Sequence, residues 1–287
     1  MWLVLSLIAA MSSATADAMT KKHFSDLTAY EMGSVRLAYT LPWLGIAMLL
    51  IPWPSLDRLF FLAIACGLPL ELLAFWCYMK AIKVSPLSLT LPFLAFTPIC
   101  MILTGWIVLG ETVTLPGITG IILIVIGSYC LNLSQAATGI WGPIKAVAKE
   151  PGSRLMLLVA FIYSITSTIG KLGVLHSSPS FFGITYFMSL SMLMFGGLPL
   201  VPGAKMSRIA TKPSVGLLIG AIYAIMIFSH MLAISMVQAA YMISIKRMSL
   251  LFGVLYGAFL FKEDKIVERM TGAFIMVCGV LIIGFFG

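Results

Sequence analysis

The sequence predicts an all-α integral membrane protein with ten transmembrane helices arranged as two inverted five-helix repeats. Three observations support this fold class: composition, the length of the apolar segments, and an internal repeat. Hydrophobic residues make up 61% of the 287 residues and charged residues only 10%. Such a chain has too little polar surface to cover a water-soluble globule of this size. We therefore expect it to lie in a lipid bilayer.

Apolar segments of about 20 residues, the length that a helix needs to cross the hydrocarbon core, follow one another along the chain. The predicted spans are 1–19, 32–53, 58–79, 85–109, 115–134, 154–175, 180–201, 214–236, 239–261 and 267–286. The mixed segment 135–153 is the predicted linker loop, between a first repeat at 1–134 and a second at 154–287. Because each repeat holds an odd number of spans, the second enters the membrane upside down.

The repeat is visible without gaps, because an offset of 152 positions brings residues 79–127 onto 231–279. Hydrophobic bias alone does not generate matching carboxylates and glycines. The most informative matches place Gly105, Glu111, Gly120 and Gly127 on Gly257, Glu263, Gly272 and Gly279. Two copies of one membrane unit are typical of transporters.

Basic residues are concentrated in the odd-numbered connections between spans, and Arg58 is the one basic residue of the even-numbered connections. The positive-inside rule therefore predicts a multi-pass protein of the cell (inner or plasma) membrane with both termini outside. These loop charges account for the net charge of +8, so no nucleic-acid partner is predicted. The five cysteines lie in apolar runs without CxxC spacing, which predicts neither a disulfide nor a metal site.

Motifs along the chain carry a family resemblance. They are Arg36 in the second span, Ala81 with Pro86 after the third, and LGETVTLPGITGIILIVIG at 109–127, with FKEDKIVERMTGAFIMVCG at 261–279 as its counterpart. With these motifs the chain resembles a ten-helix, EamA-type member of the drug/metabolite transporter superfamily, over essentially its whole length. The resemblance implies secondary transport of a small metabolite, such as an amino acid, a nucleotide sugar or an organic phosphate. Phe261 and Lys262 replace Leu109 and Gly110 in the second copy, so the two loops are expected to differ.

The sequence predicts no enzyme and no cofactor, because HExxH, GxSxG and P-loop motifs are absent. Glu111 and Glu263 are interpreted as structural residues, since a carboxylate after a helix can accept hydrogen bonds from the free amides of the next helix. The glycines of the repeated motif are expected to let helices approach closely. Four prolines are expected to kink their spans: Pro42, Pro69, Pro92 and Pro98.

Ionisable residues inside the spans are the candidates for function, because a charge in hydrocarbon costs at least about 2.5 kcal/mol. Asp17 and Arg36 lie toward the cytoplasmic ends of adjacent spans, where we expect them to neutralise each other or, alternatively, to contact substrate. Lys171, Lys246 and Arg247 lie in the outer half with no carboxylate at comparable depth. These three cations therefore predict an anionic ligand.

The adjacent Lys246 and Arg247 are the sharpest signal, because an ammonium beside a guanidinium suits a phosphate or carboxylate group. This pair is similar to the Lys-Arg pair in the ninth helix of plastid phosphate translocators, a resemblance that implies a phosphate grip. In the alternative interpretation, one cation snorkels or pairs with Glu71 while the other faces a neighbouring helix.

Glu71, near mid-depth of the third span, is a candidate counter-ion or proton site. His230 lies near Tyr241 and is either a second proton carrier or an ordinary hydrogen-bonded interior residue. Trp76 and other aromatic residues near Glu71 also permit a cage for an ammonium group, although such residues are more often packing.

The predicted function is alternating-access transport of a small organic anion. Its predicted substrate-binding residues are Lys246, Arg247, Lys171, Glu71, His230, Tyr241 and Trp76. The alternatives are a flippase or scramblase for an anionic lipid headgroup, an exporter of an amino acid or quaternary amine that uses Glu71, and a channel. The expected partners are a small-molecule substrate and the lipid bilayer, and a homodimer is left open.

Overall fold

A computed structural model describes residues 1–85, 90–130, 150–261 and 266–287. The helices of this part of the chain are α1 (Trp2–Phe24), α2 (Ala29–Leu50), α3 (Arg58–Val84), α4 (Thr97–Leu109), α5 (Leu115–Cys130), α6 (Pro151–Leu175), α7 (Pro179–Gly196), α8 (Pro213–Ile234), α9 (Ala239–Lys246), α10 (Ser249–Phe261) and α11 (Ile266–Phe286). Two 3-10 segments, Leu91–Phe96 and Leu198–Leu200, and a single turn at Met206–Ile209 complete these elements. The described ranges contain no β-strand, as the predicted all-α class requires.

Six helices of the described residues are long and apolar enough to cross a membrane: α1, α2, α3, α6, α8 and the segment Pro179–Leu200. Three shorter apolar helices accompany them at Phe93–Leu109, Leu115–Cys130 and Thr271–Phe286. Large apolar side chains such as Leu49, Trp106 and Phe274 are exposed on the outside of the bundle. The protein is therefore an integral, multi-pass membrane protein, while ten spans and an inverted repeat remain predictions.

The predicted fourth and ninth spans are not continuous helices. In the fourth, a 3-10 segment precedes α4, and Pro98 lies in the first turn of α4, where a missing N–H is tolerated. In the ninth, α9 ends at Lys246 and α10 begins at Ser249. Met248 N–H donates to Ile245 O at 2.9 Å, so the chain tightens into a 3-10 turn between the two helices. Pro42 and Pro69 lie inside α2 and α3, as predicted.

Polar caps fix where several helices begin. Thr28 and Glu31 form a capping box at the start of α2, in which each side chain accepts a backbone N–H of the other residue. Asp57 accepts the Phe60 N–H at 3.0 Å and so caps α3. Glu150 caps α6 by accepting the amides of Gly152 and Ser153.

The helices of the two halves pack in matching pairs. α1 packs on α8 and α10, and correspondingly α6 packs on α3 and α4. α2 packs against α8 as α7 packs against α3. If α1 to α5 are equated with α6, α7, α8, α10 and α11, as the predicted repeat requires, each of these contacts has its counterpart among the others.

Helices α5 and α11 cross through glycines. A Cβ atom on Gly120 would lie 2.8 Å from the backbone oxygen of Gly279, and one on Gly127 would lie 2.7 Å from that of Gly272. No side chain fits in such a gap, so these glycines allow the close approach predicted from the sequence. The contact pairs also fix the relative direction, because the earlier glycine of α5 meets the later glycine of α11. The two helices are antiparallel.

Candidate functional site

A cavity lies at the centre of the bundle and encloses about 910 Å³ of empty space, including its mouth. Both halves of the chain contribute to its wall, through α1, α2 and α3 on one side and α6 to α10 on the other. The charged or titratable nitrogen and carboxylate groups that line it are Arg36, Glu71, His230, Lys246 and Arg247. The cavity thus brings together four of the seven predicted substrate-binding residues.

The break between α9 and α10 places Lys246 and Arg247 on the cavity wall. The Arg247 side chain is buried, with Arg247 only 5% exposed, and its Nε has no hydrogen-bond partner. Within the described residues its guanidinium forms no hydrogen bond and no ion pair. Membrane transporters commonly form substrate sites where helices are discontinuous. A buried cation without a partner at such a break is the most unusual feature of this cavity.

Lys246 is held by a histidine. Its Nζ lies 2.9 Å from Nδ1 of His230 on α8. Because an ammonium only donates hydrogen bonds, Nδ1 accepts, and the imidazole is neutral in this arrangement. In the described part of the chain Lys246 forms no ion pair with a carboxylate.

Glu71 of α3 faces the same cavity beside Thr166 of α6, at a distance where its charge acts on Lys246. Its carboxylate forms no ion pair among the described residues. Aromatic side chains complete the wall around these groups: Phe75, Tyr78, Tyr163, Phe182, Tyr186, Phe187 and Tyr223. The Tyr186 hydroxyl is buried without a hydrogen-bond partner and offers a further polar contact.

Asp17 and Arg36 form a buried ion pair, with Oδ1 and Nη2 separated by 2.8 Å. The Tyr78 hydroxyl donates to Asp17 Oδ2 at 2.5 Å, and Arg36 Nη2 donates to Thr20 Oγ1 at 3.2 Å. The guanidinium lies 5.3 Å from the ring centroid of Tyr223. Mutual neutralisation of the two charges, the simpler of the two expectations, is the arrangement present. Arg36 still reaches the cavity wall.

Lys171 is not on the cavity wall. Its Nζ pairs with Glu111 Oε1 and donates to Val237 O at 2.6 Å. The expectation that no carboxylate lies at its depth is therefore wrong, because the loop after α4 brings Glu111 to it. Glu111 Oε2 accepts the amide of Ala239 at 2.8 Å, so the carboxylate caps α9 instead of the next helix in the chain. Glu263 lies outside the described residues.

Tyr241 and Trp76 also lie away from the cavity wall. The fully buried Tyr241 accepts the Thr114 amide at 2.8 Å and packs against Gly117. Trp76 is partly buried, and Lys80 Nζ lies 5.1 Å from its ring centroid. The contacts of Tyr241 and Trp76 are therefore with other protein groups, away from the cavity.

Sequence reasoning missed the tyrosines of the far wall. Tyr163 and Tyr186 line the cavity from α6 and α7, and no pattern in the sequence distinguishes them from packing residues. The sequence does contain a signal for Tyr223, because this residue precedes His230 by about two helical turns and so lies on the same face of α8.

Contacts between the two halves are present at both ends of α2. At its first turn, Glu31 pairs with Arg208 at 3.2 Å and accepts the Lys205 amide at 2.9 Å. Beyond its last turn, Asp57 Oδ2 lies 2.6 Å from His176 Nδ1. The backbone amide of Phe60, and the His176 side chain to a smaller extent, lower the pKa of Asp57.

The described residues therefore form a helical membrane bundle with a charged cavity at its centre. Residues 1–133 match the model of the EamA-like transporter family, and over that range the chain is similar to this family of the drug/metabolite transporter superfamily. The family consists of membrane transporters of small molecules. The resemblance predicted from the sequence motifs is confirmed over residues 1–133, while the similarity of the Lys246–Arg247 pair to that of the phosphate translocators stays a prediction.

Solved structures share the fold. A protein known from a crystal structure superposes with a TM-score of 0.73 at 12% sequence identity, over 98% of this chain and 96% of the other. At that identity the similarity concerns the fold alone. No curated protein matches the chain.

Proposed function

We propose that this protein is a secondary transporter that carries a small organic anion, bearing a phosphate or carboxylate group, by alternating access at the central cavity. The observation that carries the proposal is the buried guanidinium of Arg247, which has no partner among the described residues and lies beside a lysine without a carboxylate. A buried charge without a partner costs several kcal/mol. A bound anion would supply the missing partner, and a planar guanidinium can grip phosphate or carboxylate with two hydrogen bonds.

The charges around the cavity support an anion over a cation. Arg36, Lys246 and Arg247 are three cations, and the opposing carboxylates are Glu71 and Asp17. Asp17 is already paired with Arg36, so Glu71 alone faces the other two cations. One unit of positive charge remains for a monoanion to neutralise.

Two observations support an inverted repeat and hence alternating access. The contacts of α1 and α2 with the second half match those of α6 and α7 with the first half, and the α5–α11 contact joins Gly120 to Gly279 and Gly127 to Gly272. In the predicted repeat Gly272 is the copy of Gly120 and Gly279 the copy of Gly127. A two-fold axis between antiparallel α5 and α11 would produce this exchange. Rocking about that axis would open the Glu31–Arg208 end and the Asp57–His176 end in turn.

The orientation that we propose follows from the loop charges, with both termini outside the cell membrane. A reporter fused after Gly287 tests it. Activity of an extracytoplasmic reporter such as a secreted phosphatase agrees with the proposal, and activity confined to a cytoplasmic reporter contradicts it.

The anion site is tested by ligand stabilisation of the protein in detergent. Thermal unfolding is measured with phosphate, sulfate, pyruvate and sugar phosphates for the wild type, Arg247→Gln and the control Lys80→Gln. The control removes a cation outside the cavity wall. A ligand at 100 times its Kd stabilises the folded state by about 2.7 kcal/mol. We expect anions to stabilise the wild type and the control but not Arg247→Gln, and equal stabilisation of all three would contradict the site.

A ligand found in this way is then assayed for transport. Vesicles containing wild-type protein should take up or exchange the labelled ligand with saturation, and Arg247→Gln vesicles should not. Continuous conductance without exchange would instead indicate a channel.

An amine is the second candidate substrate, because Glu71 has no ion pair in the described structure and shares the cavity with Tyr163, Tyr186 and Tyr223. Aromatic rings beside a carboxylate suit an ammonium group. The same unfolding measurement with quaternary amines decides between the two substrates. Stabilisation by amines that Glu71→Gln abolishes and Arg247→Gln leaves intact would favour this candidate.

A further inference from the structure

We infer that His230 is the proton site of this transporter, and that a proton joins His230 when an anion binds at Lys246 and Arg247. The inference rests on the proposed function and adds its coupling. It comes from a juxtaposition in the cavity, where the only hydrogen-bond partner of Lys246 among the described residues is a histidine nitrogen. Any ligand that engages the lysine therefore changes the surroundings of the histidine.

In the empty cavity the pair excludes a proton from His230. Lys246 Nζ donates to Nδ1 at 2.9 Å, so that nitrogen has no free lone pair. A protonated imidazole would also place a second positive charge against the ammonium, with Arg247 as a third close by. Like charges at such distances disfavour the charged form of each group.

The groups that face His230 come from several helices. Lys246 is the last residue of α9, and Arg247 is the next residue in the chain. Glu71 comes from α3, and Arg36 comes from α2 and is paired with Asp17 of α1. Tyrosine hydroxyls also line the cavity: Tyr78, Tyr163, Tyr186 and Tyr223. Among the described residues, Glu71 is the one carboxylate on the wall. It lies beside Thr166 and acts on Lys246, so it is the competing candidate for proton binding.

An anion reverses the balance at His230. When its oxygens bind the Arg247 guanidinium, they also attract the Lys246 ammonium, which leaves Nδ1 free. The negative charge of the anion then favours an imidazolium beside it, and one proton from water binds to Nδ1. No covalent bond changes in this step. Anion and proton then occupy the cavity together and cross the membrane together.

Thermodynamic linkage turns this picture into a measurable pH dependence. If the anion favours proton binding, the proton favours anion binding by the same factor. Anion affinity should therefore rise as pH falls through the range in which His230 takes up its proton. For one proton per anion, the slope reaches about tenfold in Kd per pH unit.

The experiment uses sulfate and pyruvate, probes whose own charge is constant through the neutral range. Their Kd is measured by titration calorimetry on the full chain in detergent, from about pH 6 to about pH 8, the range in which histidine commonly titrates. Repeating the titration in two buffers of different ionisation enthalpy counts the protons taken up. We expect close to one proton per anion in the wild type.

Two variants assign the proton. His230→Gln keeps an oxygen that accepts from Lys246 but does not titrate, so the anion affinity that this variant retains should not depend on pH and should involve no proton uptake. Glu71→Gln tests the competing proton site and should keep the wild-type slope even where its anion affinity changes, and Lys80→Gln, outside the cavity wall, is the matched control. Size-exclusion and thermal unfolding profiles report whether each variant is folded, and the proton count on the wild type requires no variant.

The outcomes separate this inference from the proposed function. Anion binding by the wild type without pH dependence or proton uptake overturns the inference and leaves the anion site standing. A full slope in His230→Gln that disappears in Glu71→Gln moves the proton to Glu71 and likewise overturns it. Failure of the wild type to bind either probe at any pH overturns the proposed anion site itself.

Discussion

Lys171 and the Lys246–Arg247 pair are alike in sequence, since all three are cations inside predicted spans, but their surroundings are opposite. Lys171 has a carboxylate partner in Glu111 and a carbonyl partner in Val237. Lys246 contacts a neutral histidine, and Arg247 has no partner in the described structure. The partners of an intramembrane charge, more than its depth, are therefore the reason that we propose a structural role for Lys171 and a binding role for Lys246 and Arg247.

The largest effect that we expect on ligand binding is that of Arg247→Gln. Removing one partner of a buried, hydrogen-bonded charge pair costs about 2–5 kcal/mol of binding free energy, so anion affinity should fall at least about 30-fold. Without ligand, the same variant should unfold at the wild-type temperature or above it, because the folded state loses a buried charge that has no partner. Calorimetry and thermal unfolding of the purified protein check both parts. A variant that keeps its affinity and loses stability would assign Arg247 to the structure.

Lys171→Met should show the reverse pattern. It leaves Glu111, whose side chain is 15% exposed, without its cation, and breaking a buried pair costs up to about 3–5 kcal/mol of unfolding free energy. The double variant Lys171→Met/Glu111→Gln removes both charges and should recover much of that loss. Anion affinity of the folded fraction should stay at the wild-type value. Denaturant unfolding checks the stabilities, and a large loss of anion affinity in the double variant would return Lys171 to the binding site.

Gly117→Ala tests whether Tyr241, another predicted substrate-binding residue that lies away from the cavity, has a structural role. The added Cβ meets the Tyr241 ring, which is fully buried. Overpacking of this kind costs about 1–3 kcal/mol of unfolding free energy. Thermal unfolding should show the loss, and adding Tyr241→Ala should relieve the clash. If Gly117→Ala unfolds like the wild type, Tyr241 is free to move and its structural assignment fails.

Glu150→Gln gives the smallest expected effect and a defined pH dependence. Burial alone would raise the pKa of Glu150, but hydrogen bonds from Ser153, Ser85 and Gly152 outweigh it and lower the pKa below the usual 4.5. A lowered pKa in the folded state contributes stability above about pH 4.5, and that contribution is lost as pH falls through the lowered value. Near neutral pH the variant should lose about 1 kcal/mol, the usual effect of an N-cap. Unfolding curves of both proteins should converge in acid, and a gap that widens there would contradict this account.

The sequence predicts parts of this structure well, for physical reasons that differ from residue to residue. Long apolar helices such as α1, α3 and α8 follow from hydropathy, because the bilayer demands that length. Asp17 could be matched to Arg36 because they lie at similar depth on adjacent spans. The cavity itself was predicted only through its charges.

Other parts depend on tertiary structure that no local pattern reports. The turn between α9 and α10 contains neither proline nor glycine, so composition gives no sign of the break. Glu111 lies in the loop after α4, and the sequence gives no sign that this loop contacts Lys171 of α6. Tyr163 and Tyr186 differ from packing residues only by the cavity that they face.

The crossing of α5 and α11 pairs glycines that the predicted repeat relates to one another. In the predicted repeat, Gly279 is the copy of Gly127, so the contact between Gly120 and Gly279 joins one site to the copy of the other. The contact between Gly127 and Gly272 does the same in reverse. The crossing is therefore self-complementary and uses nothing that a single five-helix unit lacks. On the predicted repeat, a unit half as long would already carry the surface needed to pair with an upside-down copy of itself.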